Sequence, residues 1–150
     1  MKRNTPPKRI EMKSKEKQVV LIVEDNKEYQ SLLALGHEKS RISCDCVFAD
    51  SAENALTYLS EETPNLILSD YELPGLNGLQ LLDLLKKNDA WKDIPVLMFS
   101  MFGTDKLMDR AYARGAQGFM DKPEDYTSAI ELWQDLRTFL RSNKALSDWE

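Results

Sequence analysis

VVLIVEDN (residues 19–26) and LILSDYELPGLNGLQLL (residues 66–82) are the stretches that decide how this chain folds. Each opens on an apolar run that is continuous rather than alternating, the mark of a strand covered on both faces in a parallel sheet. Each run then breaks abruptly into carboxylates. Three further runs have the same form: Cys46 to Phe48, Val96 to Phe99 and Gly118 to Met120. With Val19 to Val23 and Leu66 to Leu68 they make five predicted strands, and the segments between them suit crossover helices. Asp50-Ser51-Ala52-Glu53 reads as a capping box, with Asp50 as a cap rather than a site residue, ahead of Ala55, Leu56 and Leu59 on one helical face. Thr104 reads as the cap of a helix carrying Leu107, Met108, Ala111 and Tyr112. The last helix shows Tyr126, Ile130, Trp133, Leu136 and Leu140 on one stripe, with Glu124 and Asp125 before it and Arg137, Arg141 and Lys144 late in it, matching the helix dipole. Five β-α units with right-handed crossovers make a three-layer α/β domain.

The chain has 150 residues, 42% hydrophobic and 30% charged, which fits one soluble domain and excludes collagen-like and wholly disordered classes. No apolar stretch approaches the roughly 18 residues of a membrane span, and no apolar leader opens the chain. Residues 1–17 hold seven Lys and Arg against two Glu, a balance of +5, so the rest of a chain of net charge −5 carries −10. That acidic body lacks the basic footprint of a duplex-binding domain, which excludes direct nucleic-acid binding as a first reading. The basic stretch reads as a disordered extension, residues 18–142 as the domain, and 143–150 as a short, frayed tail in which Trp149 is a candidate contact. Cys44 and Cys46 read as reduced packing residues on one strand face, and His37 as a residue on a helix surface. With one His and no C-x-x-C pair, any metal has to be held by oxygen.

Ligands of such sheets bind beyond the carboxyl ends of the strands, so the residues that end the apolar runs gather on one edge. They are Glu24-Asp25, Asp70, Ser100 and Lys122-Pro123. Three carboxylates brought together repel unless a cation neutralises them, and oxygen ligands of this kind suit Mg²⁺. A lysine and a hydroxyl beside them suit a phosphoryl group, and an aspartate can itself be the nucleophile that accepts one. Pro74 and Gly75 supply a turn after Asp70, and Gly78 permits close packing where the next helix begins.

VVLIVEDN, LILSDYELPGLNGLQLL, IPVLMFS and GAQGFMDKP together resemble the signature blocks of the response-regulator receiver domain of two-component signalling. The match runs in order over about residues 18–142: an acidic pair, D-x-x-x-P-x-x-x-G, a Ser after an apolar strand, and Lys-Pro. The resemblance implies a flavodoxin-like (βα)5 sandwich with a parallel five-stranded sheet of order 2-1-3-4-5. It implies Asp70 as the phosphoacceptor, with Glu24, Asp25 and the backbone carbonyl of Glu72 joining it around Mg²⁺ or Mn²⁺. Ser100 would donate to the phosphoryl group and Lys122 would pair with it, aimed by a cis bond to Pro123. Phe119 would be the aromatic switch on the fifth strand, Phe102 and Glu72 occupy positions that tune phosphoryl lifetime, and the bulk of Met101, where the family often has a small residue, would narrow access to Asp70.

The resemblance further implies a sensor histidine kinase or histidine phosphotransfer protein as donor and a cytoplasmic setting. It implies slow autodephosphorylation rather than enzymatic turnover. The signal is expected to leave through the fourth helix, fifth strand and fifth helix, where Asp105, Lys106, Asp109, Arg110 and Arg114 mix charge and permit a homodimer or a protein partner. Three readings compete. A dinucleotide oxidoreductase needs glycines after the first strand, where Glu24-Asp25-Asn26-Lys27 has none. An aspartate-nucleophile phosphohydrolase would normally place an acid two positions beyond Asp25, where Lys27 stands. The third is a receiver-like docking module that works without phosphorylation, which the complete set of site residues disfavours.

Overall fold

Val20, Leu21, Ile22 and Val23 have no exposed surface. A strand apolar on both pleats has to lie inside a sheet covered on both sides. That is its place in the computed structural model, which describes residues 17–148, with side chains through Leu140. β1 (Val19–Val23) runs between β2 (Asp45–Ala49) and β3 (Leu66–Asp70), and β4 (Val96–Ser100) and β5 (Gly118–Asp121) complete the order 2-1-3-4-5. Every pairing is parallel, so all strands end on the same edge. The crossovers are α1 (Lys27–Ser40), α2 (Ala52–Leu59), α3 (Gly78–Lys87) and α4 (Asp105–Ala113), and α5 (Tyr126–Asp148) follows β5. The flavodoxin-like three-layer expectation holds.

The two sheet faces make two cores. Leu21, Val23, Ile67 and Met98 meet Ala52 and Ala55 of α2, Leu81, Leu82 and Leu85 of α3 and Ala111 of α4. Ile22, Leu68 and Phe99 on the opposite pleat meet Leu33 of α1 and Leu132, Trp133, Leu136 and Leu140 of α5. Leu136, Leu140 and Trp133 thus lie inward as read, but Tyr126 is exposed and Ala129 and Leu132 take its place on the stripe. α5 also runs on to Asp148, past residue 142. The N-terminal segment through Glu16, Trp149, and the side chains of Arg141 and Lys144 lie outside the described residues.

Local chemistry explains most helix starts. Asn26, Thr104 and Asn77 each accept a hydrogen bond from a backbone N–H three residues on, and Gln80 returns the favour to Asn77, a full capping box. At α2 the cap is Ser51, which accepts from the Asn54 N–H; Asp50 instead faces Lys27 Nζ at 3.2 Å. The expected box fails because α2 starts at Ala52, which puts Asn54 rather than Glu53 at the third helical position.

His37 also departs from its reading as a plain surface residue. Its ring lies 4.6 Å from that of Trp133, and Nε2 sits 3.1 Å from the Ile42 carbonyl oxygen. A turn of α1 that looks exposed along the chain is roofed by α5, whose Trp133 donates to the Leu33 carbonyl at 2.8 Å. Cys44 and Cys46 both face this core, and burial raises their thiols to about 11 and about 12, which keeps them protonated.

The α1–α5 contact is close enough that a Cβ on Gly36 would stand 2.9 Å from both the backbone carbon and the Cβ of Ala129. Helix propensity favours Gly36→Ala by about 1 kcal/mol. Overpacking against a backbone that cannot yield costs about 1–3 kcal/mol and should win. Urea unfolding is expected to show Gly36→Ala less stable than wild type by about 1 kcal/mol; an equal or higher midpoint would mean that the helices can separate freely.

Candidate functional site

The site is built from the ends of four neighbouring strands. β1 carries the chain into Glu24, whose N–H extends the ladder by donating to the Ala49 carbonyl at 2.9 Å. β3 ends on Asp70, opposite Phe99, and the Tyr71 N–H donates to the Phe99 carbonyl at 2.9 Å. β4 ends on Ser100, and the Lys122 N–H donates to its carbonyl at 3.0 Å. That last bond fixes the backbone of Lys122 as an extension of β5. No peptide bond among the described residues is cis, so the expected cis bond to Pro123 is corrected: the ladder aims the lysine without it.

These supports converge on Lys122, whose side chain is only 8% exposed. Its Nζ donates to Asp70 Oδ2 at 2.9 Å and lies 2.8 Å from Glu24 Oε1. Glu24 is fully buried and Asp70 is 2% exposed, whereas Asp25 is exposed. Glu24 Oε2 accepts from the Asn26 N–H at 2.9 Å and Asp70 Oδ1 from the Glu72 N–H at 3.0 Å. Glu24 Oε1 rests on the Lys122 ammonium, the same group that bonds Asp70.

Burial pushes the Asp70 carboxyl up to about 6; the Glu72 N–H and the Lys122 ammonium oppose the rise, and the charge of Glu24 adds to it. Burial disfavours the Lys122 charge, but Glu24 and Asp70 outweigh it and hold the ammonium above the usual lysine range. One carboxylate oxygen each from Glu24, Asp25 and Asp70 lie within 4.8 Å of one another. Three such acids against one ammonium leave a deficit of positive charge. The residues therefore fit a hard divalent cation bound through oxygen.

The remaining candidates take different positions. Ser100 is fully buried; its hydroxyl accepts from the Phe102 N–H at 3.3 Å and makes no hydrogen bond to Asp70. Phe119 is half-buried, its ring 6.3 Å from that of Tyr71 and packed against Gly103. Met101 and Phe102 are 52% and 73% exposed and line a cavity of about 220 Å³ with Tyr29, Gly103, Asp121, Lys122 and Glu124. Glu72 is exposed and Pro123 buried. Behind Asp70, a Cβ on Gly78 would collide with the Asp70 carbonyl oxygen, so glycine lets the start of α3 back directly onto the site.

The sequence reading missed Tyr29. Its ring centroid lies 4.4 Å from Lys122 Nζ. The available signal was its place one helical turn beyond Asp25, on the first turn of α1 above the strand ends.

Comparison with known proteins gives a consistent picture. Residues 20–134 match the family described as the response regulator receiver domain. The phosphate regulon transcriptional regulatory protein PhoB of Klebsiella pneumoniae is 34% identical over 104 residues, 69% of this chain and 44% of PhoB. The chain thus spans about half the length of the curated relatives it matches. Among solved structures, a signal receiver domain from Vibrio parahaemolyticus superposes with a TM-score of 0.77 at 24% identity, covering 89% of this chain and 98% of that one. An Mn²⁺-bound form of the response regulator Rcp1 superposes with a TM-score of 0.71 at 24% identity, over 81% of this chain and 93% of that one.

The raised Asp70 carboxyl sets a pH test. Its folded value of about 6 stands above the ordinary 3.8, so folding favours the neutral form. That stabilisation is fully present below about pH 4 and is lost as pH rises through about 6. In chelator-treated protein, Asp70→Asn should raise stability at pH 7 by on the order of 2 kcal/mol and leave it nearly unchanged at pH 4. Denaturant melts at both pH values check this; a gain that does not depend on pH would tie it to some cause other than the buried charge.

Proposed function

Because this chain belongs to the response regulator receiver domain family, whose members take phosphoryl groups from histidine kinases or phosphotransfer proteins, we propose that Asp70 is its phosphoacceptor. One observation carries the reading: Lys122 donates to Asp70 at 2.9 Å and lies 2.8 Å from Glu24, inside a set of three carboxylates that one ammonium does not neutralise. Glu24, Asp25, Asp70 and the carbonyl of Glu72 would hold Mg²⁺ or Mn²⁺. When bound, the cation supplies positive charge against the phosphoryl oxygens.

The protein's own groups divide the remaining work. A carboxylate oxygen of Asp70, ionised at neutral pH with its value near 6, attacks phosphorus. The P–N bond to the donor histidine breaks, and its electron pair stays on the imidazole, which takes up a proton. Lys122 already bonds the Asp70 carboxylate and offers its ammonium to the incoming oxygens. The Glu72 N–H on Oδ1 fixes the rotation of the carboxylate. Such transfer by the receiver to itself, followed by slow loss to water, is a signalling step rather than turnover on a substrate pool.

The added charge supplies an acceptor for the Ser100 hydroxyl proton. Drawing Ser100 toward Asp70 moves the Met101–Thr104 segment. Phe119, packed on Gly103, then has to repack inward, and it carries no hydroxyl that could anchor it outward. The change reaches the face formed by α4, β5 and α5, where a protein partner docks or a second copy pairs. Donor and receiver meet in the cytoplasm on this reading. No helix among the described residues is long and apolar enough to cross a membrane. Lys27 pairs with Asp50 where the hydrolase reading wants an acid, which favours the phosphoacceptor.

Incubation with acetyl phosphate and Mg²⁺ should give one phosphoryl adduct by intact-mass spectrometry, absent from Asp70→Asn and suppressed by chelator. An adduct that survives Asp70→Asn would place the chemistry elsewhere, and none on wild type would favour a docking module that works without phosphorylation. Met101 and Phe102 stand over the rim and, as the loop closes, shield the acyl phosphate from water. Met101→Ala should therefore shorten the adduct's half-life by about two- to fivefold, a barrier change of under about 1 kcal/mol; an equal or longer life removes the shielding role.

A further inference from the structure

Lys122 is held by more than its acidic partners. The ring of Tyr29 lies 4.4 Å from Nζ and that of Phe99 5.4 Å from it, so the ammonium sits against two aromatic faces as well as two carboxylates. We propose that Tyr29 is a positioning residue for Lys122, keeping the ammonium at the acceptor carboxylate through a cation–π contact that phosphorylation leaves intact. The proposal rests on the phosphoacceptor reading of Asp70.

In the resting site Lys122 leans on Asp70 Oδ2 and Glu24 Oε1. Esterification removes the carboxylate charge of Asp70 and moves negative charge outward onto the phosphoryl oxygens. Glu24 would share its charge with a bound cation. Both acidic supports of the ammonium therefore change during the reaction, whereas the quadrupole of an aromatic ring does not. Tyr29 is well placed to be the constant partner. It stands on the first turn of α1, and its backbone N–H donates to the capping Asn26 side chain at 2.9 Å, so the ring hangs from the same turn that carries the chain on from Glu24 and Asp25. Its hydroxyl makes no hydrogen bond among the described residues, which leaves the ring face as its contribution. Tyr29 and Lys122 also share the cavity of about 220 Å³ with Met101 and Phe102, and the Lys122 side chain is itself only 8% exposed, so little water screens the contact.

Adduct formation from acetyl phosphate at saturating Mg²⁺, followed for a set of variants, tests this. Tyr29→Phe keeps the ring and should react within about twofold of wild type, while Tyr29→Leu keeps bulk without a π face and should react about three- to tenfold more slowly. In a Lys122→Met background the Tyr29→Leu change should have no further effect, because there is no ammonium left to hold. Mg²⁺ affinity and the thermal midpoint should stay close to wild type in Tyr29→Leu. Equal rates for Tyr29→Leu and Tyr29→Phe, or a further loss in the Lys122→Met background, overturn the proposal while Asp70 remains the acceptor. A wild type that takes up no phosphoryl group overturns the phosphoacceptor reading and this inference with it.

Discussion

The buried ammonium of Lys122, set between Glu24 and Asp70, is the contact on which the rest of the site depends. Removing two carboxylates from water is costly, and their mutual repulsion adds to the cost. One lysine does not cancel it, as the raised Asp70 carboxyl registers. The protein therefore carries a local electrostatic deficit at the edge of an otherwise apolar sheet. A divalent cation or a protonated Asp70 relieves it, and a site so poised responds strongly when charge is added.

The structure on either side of that deficit is unequal. Behind Asp70, β3 is buried at every position and the glycine at the start of α3 lets the helix back directly onto the Asp70 carbonyl. Ahead of it, the stretch from Met101 to Lys106 is exposed throughout, and α4 buries only Ala111. Close-packed elements move little, while exposed loops with few buried contacts rearrange at low cost. On the proposed reading, a change in charge at Asp70 would be transmitted toward Ser100, Phe119 and α4 rather than back into β1 and β3. Tyr29, by contrast, contacts the lysine from α1, outside that exposed stretch.

Much of this was legible along the chain. Continuous apolar runs fixed five strands and their parallel sense, and a parallel sheet places every run's end on one edge. From that constraint Glu24, Asp25, Asp70, Ser100 and Lys122 followed as neighbours. Caps based on short side-chain contacts, such as Thr104, were also readable, because their partners lie three residues away. Asp50 was misjudged by one residue, since adjacent Asp and Ser compete for the cap and the helix start decides between them.

The sequence by itself determined which groups meet and at which end of the sheet, because strand periodicity and parallel connection are local properties with a global consequence. Tertiary structure alone decided how those groups share their charge. The lysine that bonds Asp70 comes from 52 residues away, and the tryptophan that roofs His37 bonds α1 from 100 residues away. Burial, the approach of the Lys122 ammonium to Glu24 and the ring of Tyr29 over that ammonium all arise from packing between distant segments. No period or spacing encodes such contacts, since desolvation depends on what every other element places around a group.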